Sequence, residues 1–195
     1  MWFGEPFGGL IPGARGAVLA ALLRTGTPLT GRQVHALVSE RHSLWPVQEA
    51  LRDLAQLGIV DTQTVGRAGL HRINEDHSAI PHLRALADPV GILRRVIEDV
   101  VGSSASSVIL FGSIARGEAS ASSDVDLAIV APGGWDDRLT VQDAVHARLG
   151  NPCDVVVFTP DEFSALARSG EPVVHDILRD GVAILGTMPR VRIDA

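Results

Sequence analysis

The sequence contains no lysine and only one cysteine, Cys153, among its 195 residues. A single cysteine cannot form an internal disulfide or complete a zinc site, so nothing in the chain requires an oxidising compartment. No apolar run approaches the roughly 20 residues that span a bilayer, and the N-terminal residues lack the positive flank of a signal peptide. The composition, 46% hydrophobic and 21% charged, excludes an intrinsically disordered chain. We therefore expect a globular, cytoplasmic protein of one or two domains.

The charges are distributed unevenly along the chain. All 17 basic residues are arginine; seven of them lie in residues 1–80, together with seven acids. Residues 81–195 carry ten arginines and sixteen acids, and so account for the whole net charge of −6. The neutral first part can approach a polyanion more easily than the second part. The acid-rich second part offers carboxylates of the kind that bind cations.

Residues 1–78 have the pattern of three helices followed by a β-hairpin, and we interpret them as a first domain. The third helix is expected to bury Val47, Leu51, Leu54 and Leu57. This order of elements resembles the winged-helix superfamily of bacterial DNA-binding modules. The predicted elements are a helix at 16–25, a helix after Thr30, a helix that Ser43 caps and Gly58 ends, and strands at 59–65 and 70–73.

The winged-helix resemblance implies that the third helix enters the major groove of DNA and that the hairpin touches the backbone. The candidate DNA contacts are Gln48 and Arg52 on the helix and Arg67 and Arg72 on the hairpin. The alternative is that these side chains form the solvated surface of a protein-interaction module, because a net charge of zero is low for a DNA-binding domain. The histidines show no ligand spacing, and His71 among them is expected to be a surface or hinge residue.

The first eleven residues include an apolar segment that has two possible uses. It could form the contact of a homodimer, which would add the DNA contacts of two weakly charged modules on two half-sites. It could instead cover the core of its own domain. The apolar residues concerned are Trp2, Phe3, Phe7, Leu10 and Ile11.

Residues 75–88 mix Asn, Glu, Asp, His, Ser and Pro without clean periodicity, so we predict a linker at residues 79–88 and a second domain over residues 89–195. Alternating helix and strand patterns fill this domain. The predicted strands are 107–111, 124–130, 153–158 and 182–185, and the predicted helices are 90–100, 137–149, 162–167 and 172–178.

The chemistry-bearing motif of the second domain is a Gly-Ser turn followed by two aspartates. Asp124 and Asp126 open an apolar strand and project to the same side of it, about 7 Å apart. Two such carboxylates repel each other unless a cation lies between them, and oxygen ligands suit Mg²⁺. Gly112 permits close approach of the backbone to a phosphate, and Ser113 offers hydroxyl and amide donors at the start of a helix. Alone, the turn or the Asp pair would be unremarkable; together they indicate a nucleotide site.

This motif resembles the signature of the DNA polymerase β-like nucleotidyltransferase superfamily, most closely its minimal bacterial and archaeal members. The resemblance rests on Gly-Ser-x-Ala-Arg-Gly at 112–117 and Ser-Asp-x-Asp-Leu at 123–127. It implies an α+β fold with a mixed sheet flanked by helices, and a third carboxylate on a neighbouring strand, which Asp154 fits. Arg116 and Ser123 are further candidates for holding the triphosphate or shaping its loop.

The resemblance also implies an activity: transfer of a nucleoside monophosphate from an NTP, by default ATP, to an acceptor hydroxyl, with Mg²⁺ or alternatively Mn²⁺. Asp124, Asp126 and Asp154 would be both the metal ligands and the catalytic residues. Minimal members are often antitoxins whose protein partner is a HEPN-type ribonuclease toxin. The alternative is a winged-helix transcription regulator whose nucleotidyltransferase fold serves as a nucleotide sensor or protein-interaction unit. Three converging acids favour the enzyme, because a scaffold has no need of them.

Overall fold

The computed structural model describes residues 1–189, which divide into two compact units. The first unit comprises residues 5–88, and the second comprises residues 1–4 together with the chain from Pro89 onward. None of the helices in the described part of the chain is both long and apolar enough to cross a membrane. The predicted α+β class with a mixed sheet is confirmed.

The first unit contains four α-helices and a small antiparallel sheet. Its strands are ordered β1-β3-β2, and β2 and β3 form a hairpin from Val60↔Ile73 to Val65↔Ala68. After a single 3₁₀ turn at Pro6–Gly9, the elements are α1 (Gly13–Thr25), β1 (Leu29–Thr30), α2 (Gly31–Val38), α3 (Leu44–Gln56), β2 (Val60–Val65), β3 (Ala68–Ile73) and α4 (Ile80–Leu86).

A side-chain capping hydrogen bond marks the beginning of one helix of the first unit, α2. Thr30 caps α2 through a capping box, in which its hydroxyl accepts from the Gln33 amide and its own amide donates to Gln33 Oε1 at 2.8 Å. Ser43 occupies the predicted cap position of α3, but its side chain makes no capping hydrogen bond. The helices and the hairpin enclose one apolar core, formed by buried residues that include Val18, Leu19, Leu22, Val34, Val47, Leu51, Leu54, Val60 and Ile73.

Two features of the first unit differ from the sequence prediction. Leu57 is 57% exposed because α3 ends at Gln56, so that Leu57 takes the cap position and the chain turns away at Gly58. Residues 79–88, predicted as a linker, contain α4, and its first residue, Ile80, is buried in the core. The Arg84 guanidinium of α4 also donates to the Leu23 carbonyl at 3.2 Å.

The apolar N-terminal segment is divided between the two units. Phe7 is buried in the core of the first unit and Ile11 packs against that core. Phe3, with Met1, packs against a core of the second unit. Trp2 and Leu10 remain exposed. Much of the segment therefore covers cores of its own chain.

The second unit is a four-stranded mixed sheet in the order β6-β5-β4-β7. β5 and β6 run parallel, whereas β4 pairs antiparallel with both β5 and β7. The elements are α5 (Pro89–Val101), β4 (Ser107–Phe111), α6 (Gly112–Ala115), β5 (Val125–Val130), α7 (Arg138–Leu149), β6 (Cys153–Phe158), α8 (Pro160–Ser169), α9 (Pro172–Asp180) and β7 (Val182–Gly186).

Each face of this sheet is covered by a separate pair of helices, because side chains along a strand alternate between its two faces. Val125, Leu127 and Ile129 of β5 join α5 and α7 in one core. Ala128 and Val130, on the opposite face of β5, join α8 and α9 in another. Asp126 shares the parity of the second set, so it belongs to the α8–α9 face of the sheet.

Candidate active site

Asp126 and Asp154 lie directly opposite each other on the adjacent parallel strands β5 and β6. Neighbouring strands are about 4.8 Å apart, so register partners on one face bring their side chains together. Both aspartates occupy the α8–α9 face, near the beginning of their strands. Asp126 is half-buried, and Asp154 is exposed. The sheet therefore brings together two of the three predicted carboxylates through backbone register alone.

The Gly-Ser turn packs against Asp126 from the other side. Phe111, the last residue of β4, is the antiparallel register partner of Asp126, and Gly112 follows it. Gly112 has a φ of +71°, and a Cβ atom at this position would lie 2.0 Å from Asp126 Oδ2. Glycine is required here both by the left-handed backbone and by the contact with the carboxylate. Ser113 is half-buried, one residue into the short helix α6.

The carboxylates at this edge influence one another electrostatically. The pKa of Asp126 is raised, first by burial and then by the negative charges of Asp154 and Asp124, while Arg116 opposes the shift. Asp124 precedes β5 and is exposed. Asp154, Asp124 and Arg116 are therefore all close enough to Asp126 to change its pKa.

The other two predicted nucleotide-binding residues have partners within the chain. Arg116 Nε donates to Glu118 Oε2 at 2.8 Å, and this ion pair raises the pKa of the guanidinium. Ser123 Oγ accepts from the Ser120 amide at 2.8 Å, within the loop that leads to Asp124. Arg116 would need to exchange Glu118 for a phosphate in order to bind a triphosphate.

The donor chemistry of the three aspartates fits a hard divalent cation. Oxygen ligands that leave positions open for substrate phosphates are the set that Mg²⁺ prefers. In the part of the chain that the structure describes, no group of three or more His, Cys, Asp or Glu side chains is gathered so that it could hold a metal ion as it stands. The aspartates are therefore suitable metal ligands, but in the described residues they are not already arranged as a complete metal site.

The first unit contains a separate feature, a cleft of about 860 Å³ between α3, the start of α2 and the hairpin. Of the predicted DNA-contacting residues, Gln48, Arg52 and Arg67 line it. Arg72 does not: it alternates to the other face of β3 and lies 3.4 Å from Asp61 Oδ2. Arg32, at the start of α2, also lines the cleft, and it was not among the predicted DNA contacts.

Ion pairing distinguishes the arginines of the cleft from most others in this unit. Arg32, Arg52 and Arg67 form no salt bridge to any described residue, and no acidic side chain lines the cleft. Four other arginines of the unit are each paired with an acid, as Arg15–Asp53, Arg41–Glu5, Arg72–Asp61 and Arg84–Glu75. The unit is close to neutral as a whole, yet its cleft is positive.

Two side chains near these features were not predicted to matter. His71 lines the cleft, lies 3.0 Å from Thr62 Oγ1 through Nδ1, and has its pKa lowered by burial. Because successive side chains of a strand point to opposite faces, His71 was expected on the face opposite Arg72, and this was the available signal for its position. Asn151 is only 5% exposed and donates a hydrogen bond to the carbonyl of Ser123, the residue before Asp124. No local sequence pattern indicates this contact.

Comparison with known families addresses the second unit. Residues 101–187 match the family model described as Polymerase beta, Nucleotidyltransferase. This stretch is a nucleotidyltransferase domain. The match covers less than half of the chain and contains β4–β7 with the Gly-Ser turn and all three aspartates. The predicted resemblance is confirmed for this domain.

Solved structures with a similar arrangement come from toxin–antitoxin systems. A crystal structure of a toxin–antitoxin with AMP-PNP is 21% identical, with a TM-score of 0.39 over 51% of this chain and 75% of the other. A mutant of the toxin–antitoxin MntA–HpeT is 20% identical, with the same TM-score over 51% of this chain and 74% of the other. At these values the likeness says nothing about what this chain binds. No curated protein matches the chain at a significant level.

Proposed function

We propose that the nucleotidyltransferase domain transfers a nucleoside monophosphate from an NTP, by default ATP, to an acceptor hydroxyl. The observation that carries the proposal is the direct register of Asp126 and Asp154, with Gly112 packed against Asp126. In the reaction the acceptor oxygen forms a bond to the α-phosphorus. The bond from that phosphorus to the bridging oxygen breaks, and pyrophosphate leaves with the electron pair.

Each residue of the site has a role in this proposal. The backbone at Gly112 approaches a phosphate closely, and Ser113 donates to it through its hydroxyl and amide. Arg116 and Ser123 help to hold the triphosphate. The Asp154 carboxylate accepts the proton of the attacking hydroxyl.

Asp124 and Asp126 would hold Mg²⁺, or alternatively Mn²⁺, and Asp154 would join them at one ion. When bound, Mg²⁺ lowers the pKa of the attacking hydroxyl and offsets the negative charge of the leaving pyrophosphate. Without a cation, burial and then the negative charges of Asp154 and Asp124 keep the pKa of Asp126 raised.

Nucleotide binding tests this proposal before any acceptor is known. The melting temperature of the full chain should rise when a non-hydrolysable NTP is added with millimolar Mg²⁺, because a ligand that binds only the folded state stabilises it. Neither component alone should give the same shift. The absence of a shift with all four NTPs, in Mg²⁺ and in Mn²⁺, would favour the alternative in which the fold is a protein-interaction unit.

The acceptor belongs to the proposal as well. We assign the chain an antitoxin-like role in which a HEPN-type toxin or another protein supplies the hydroxyl, following the motif resemblance to minimal nucleotidyltransferases. Transfer of label from α-labelled ATP to a co-purified protein would support this role. Label that passes only to RNA or to a small molecule would contradict it.

A second function, binding of duplex DNA, is favoured by the positive cleft of the first unit. The order of three helices and a hairpin supports a winged-helix module, in which α3 and the hairpin would both contact DNA. Arg32, Arg52 and Arg67 are free to exchange counterions for phosphates, whereas Arg72 is held by Asp61. Gln48 and Arg52 on α3 are suited to base edges.

The DNA function is tested by titrating the full chain with a labelled duplex at several salt concentrations. Binding that weakens steeply with salt would support it. The absence of binding at low salt, to random DNA and to the upstream region of the gene itself, would indicate a protein-docking surface. Binding of DNA without any nucleotidyl transfer would favour the transcription-regulator alternative. A homodimer on two half-sites would appear as a two-to-one complex.

A further inference from the structure

Asn151 is a buried polar side chain that links the two chain segments leading to the catalytic carboxylates. It lies three residues before Asp154, and its Nδ2 donates to the Ser123 carbonyl at 3.2 Å. Ser123 immediately precedes Asp124. The adjacent Pro152 carbonyl accepts from the Val125 amide at 2.9 Å. The backbone on both sides of Asp124 is therefore held by residues 151 and 152.

The same amide group binds the beginning of the chain. Asn151 Nδ2 donates to the Met1 carbonyl at 2.9 Å, and its Oδ1 accepts from the Met1 nitrogen at 2.7 Å. Phe3 packs against the core that α5 and α7 share with the sheet. We call residues 1–4 the strap. Asn151 thus joins the strap to the segment before Asp124 through a single side chain.

The strap also contacts residues 117–124, the part of the connection between α6 and β5 that ends at Asp124, at a second point. A Cβ atom on Gly4 would lie 2.2 Å from the carbonyl oxygen of Ala119. Most residues of this loop are exposed, whereas Ala119 packs against the core and Ser123 is half-buried. The loop is consequently held near its middle by Gly4 of the strap and at its end by Asn151.

We propose that Asn151 and the strap are positioning elements that hold the 117–124 loop so that Asp124 stays beside Asp126 and Asp154. This proposal rests on the function proposed for that site. Asn151 touches none of the reacting atoms in this account. It acts through the backbone of Ser123, and the strap acts through Ala119.

The test uses the full chain with the variants Asn151→Ala and Gly4→Ala. Asn151→Ala removes the bond to Ser123, and Gly4→Ala places a methyl group against the Ala119 carbonyl. Two matched controls are Asn74→Ala and Gly133→Ala. Asn74→Ala removes a hydrogen bond from the side-chain amide to the Gly58 carbonyl in the first unit, and the methyl group of Gly133→Ala would meet no atom closer than 3.9 Å.

The first measurement is amide hydrogen exchange without nucleotide or metal. In both test variants, exchange in residues 117–124 should accelerate by about tenfold or more, while exchange in β4 and β5 stays within about twofold of the parent. The controls should leave the loop unchanged. The proposal would be overturned if the loop exchanged at the parental rate in both variants. It would also be overturned if exchange accelerated equally throughout the unit, because that result indicates a merely structural role.

The second measurement is steady-state nucleotidyl transfer. A displaced Asp124 should lower kcat by about tenfold to a hundredfold, because small misplacements of catalytic groups have large effects on rate. KM for the NTP should change less than kcat does, because the Gly112–Ser113 turn is untouched and, of the proposed phosphate contacts, only that of Ser123 moves with the loop. A rise in KM at unchanged kcat would contradict the assignment. If the parent shows no transfer, the proposed function fails, and hydrogen exchange still decides whether the strap holds the loop.

Discussion

Gly112 leaves no room for a side chain beside Asp126: a Cβ atom there would lie 2.0 Å from Asp126 Oδ2, on a backbone with φ of +71°. The turn that approaches the phosphate in our account is thus packed directly against the carboxylate proposed to hold the metal. The same contact makes the turn sensitive to the smallest substitution.

Gly112→Ala should lower the free energy of unfolding by about 2–4 kcal/mol, from the left-handed backbone and the displaced carboxylate together. It should also abolish nucleotide-induced stabilisation. Thermal unfolding with and without an NTP and Mg²⁺ measures both effects. Gly133→Ala is the matched control and should stay within about 0.5 kcal/mol of the parent. Equal behaviour of the two variants would refute the packing argument.

Asp126→Asn should stabilise the protein in the absence of nucleotide and metal. The pKa of Asp126 is raised in the folded state by burial, then by Asp154 and Asp124, so its ionised form opposes folding at neutral pH. We expect the melting temperature to rise by roughly 1–4 °C at pH 7.

The gain should disappear as the pH falls. Below the ordinary aspartate pKa of about 3.9, Asp126 is protonated in both the folded and the unfolded state and its charge no longer matters. Melting temperatures of both proteins between pH 7 and pH 3.5 check the prediction. A gain that persists undiminished at the acid end would assign the effect to packing instead.

Arg67→Ala should weaken DNA binding to all sequences and flatten the dependence of log K on log salt concentration by about 0.9, as expected for one lost phosphate contact. Arg72→Ala is the matched comparison on the same hairpin. Since Arg72 is paired with Asp61, its replacement should change the slope much less. Salt titrations by fluorescence anisotropy distinguish the two, and a larger effect of Arg72 would contradict the assignment of the cleft.

The thiol of Cys153 should be inert. Burial raises its pKa to about 12, and the negative charges of Asp154 and Asp126 contribute to the same shift. Because the thiolate is the reactive form, the native protein should react with a thiol reagent at pH 8 far more slowly than the unfolded chain. Rapid stoichiometric labelling of the native protein would show that the Cys153 thiol is accessible and contradict its burial.

The pairing of Asp126 with Asp154 was predictable in part from sequence. Strand alternation places Asp124 and Asp126 on one face, and the motif resemblance suggested Asp154 on a neighbouring strand. Asn151 was not predictable, because its partners lie 28 and 150 residues away along the chain. Contacts of that kind depend on how the loops are finally placed, which periodicity does not describe.

The sequence predictions of where two helices lie were wrong for a different reason. The apolar spacing of α3 continues to Leu57, but the helix ends one residue earlier and exposes that side chain. In residues 79–88, Ile80, Leu83 and Ala87 have the spacing of one helix face and all three pack on the core, so the linker prediction overlooked a helix signal that the sequence contains.

Nucleotidyl transfer by the carboxylates of β5 and β6 is tested most directly by comparing Asp126→Asn with Asp143→Asn. Asp143 is an exposed residue of α7 outside the site, so its variant controls for the loss of one charge. With α-labelled ATP, Mg²⁺ and the acceptor, Asp126→Asn should lose at least about a thousandfold in kcat, about 4 kcal/mol of transition-state stabilisation, while Asp143→Asn keeps the parental rate. An Asp126→Asn protein that turns over labelled ATP at the parental rate would contradict the account.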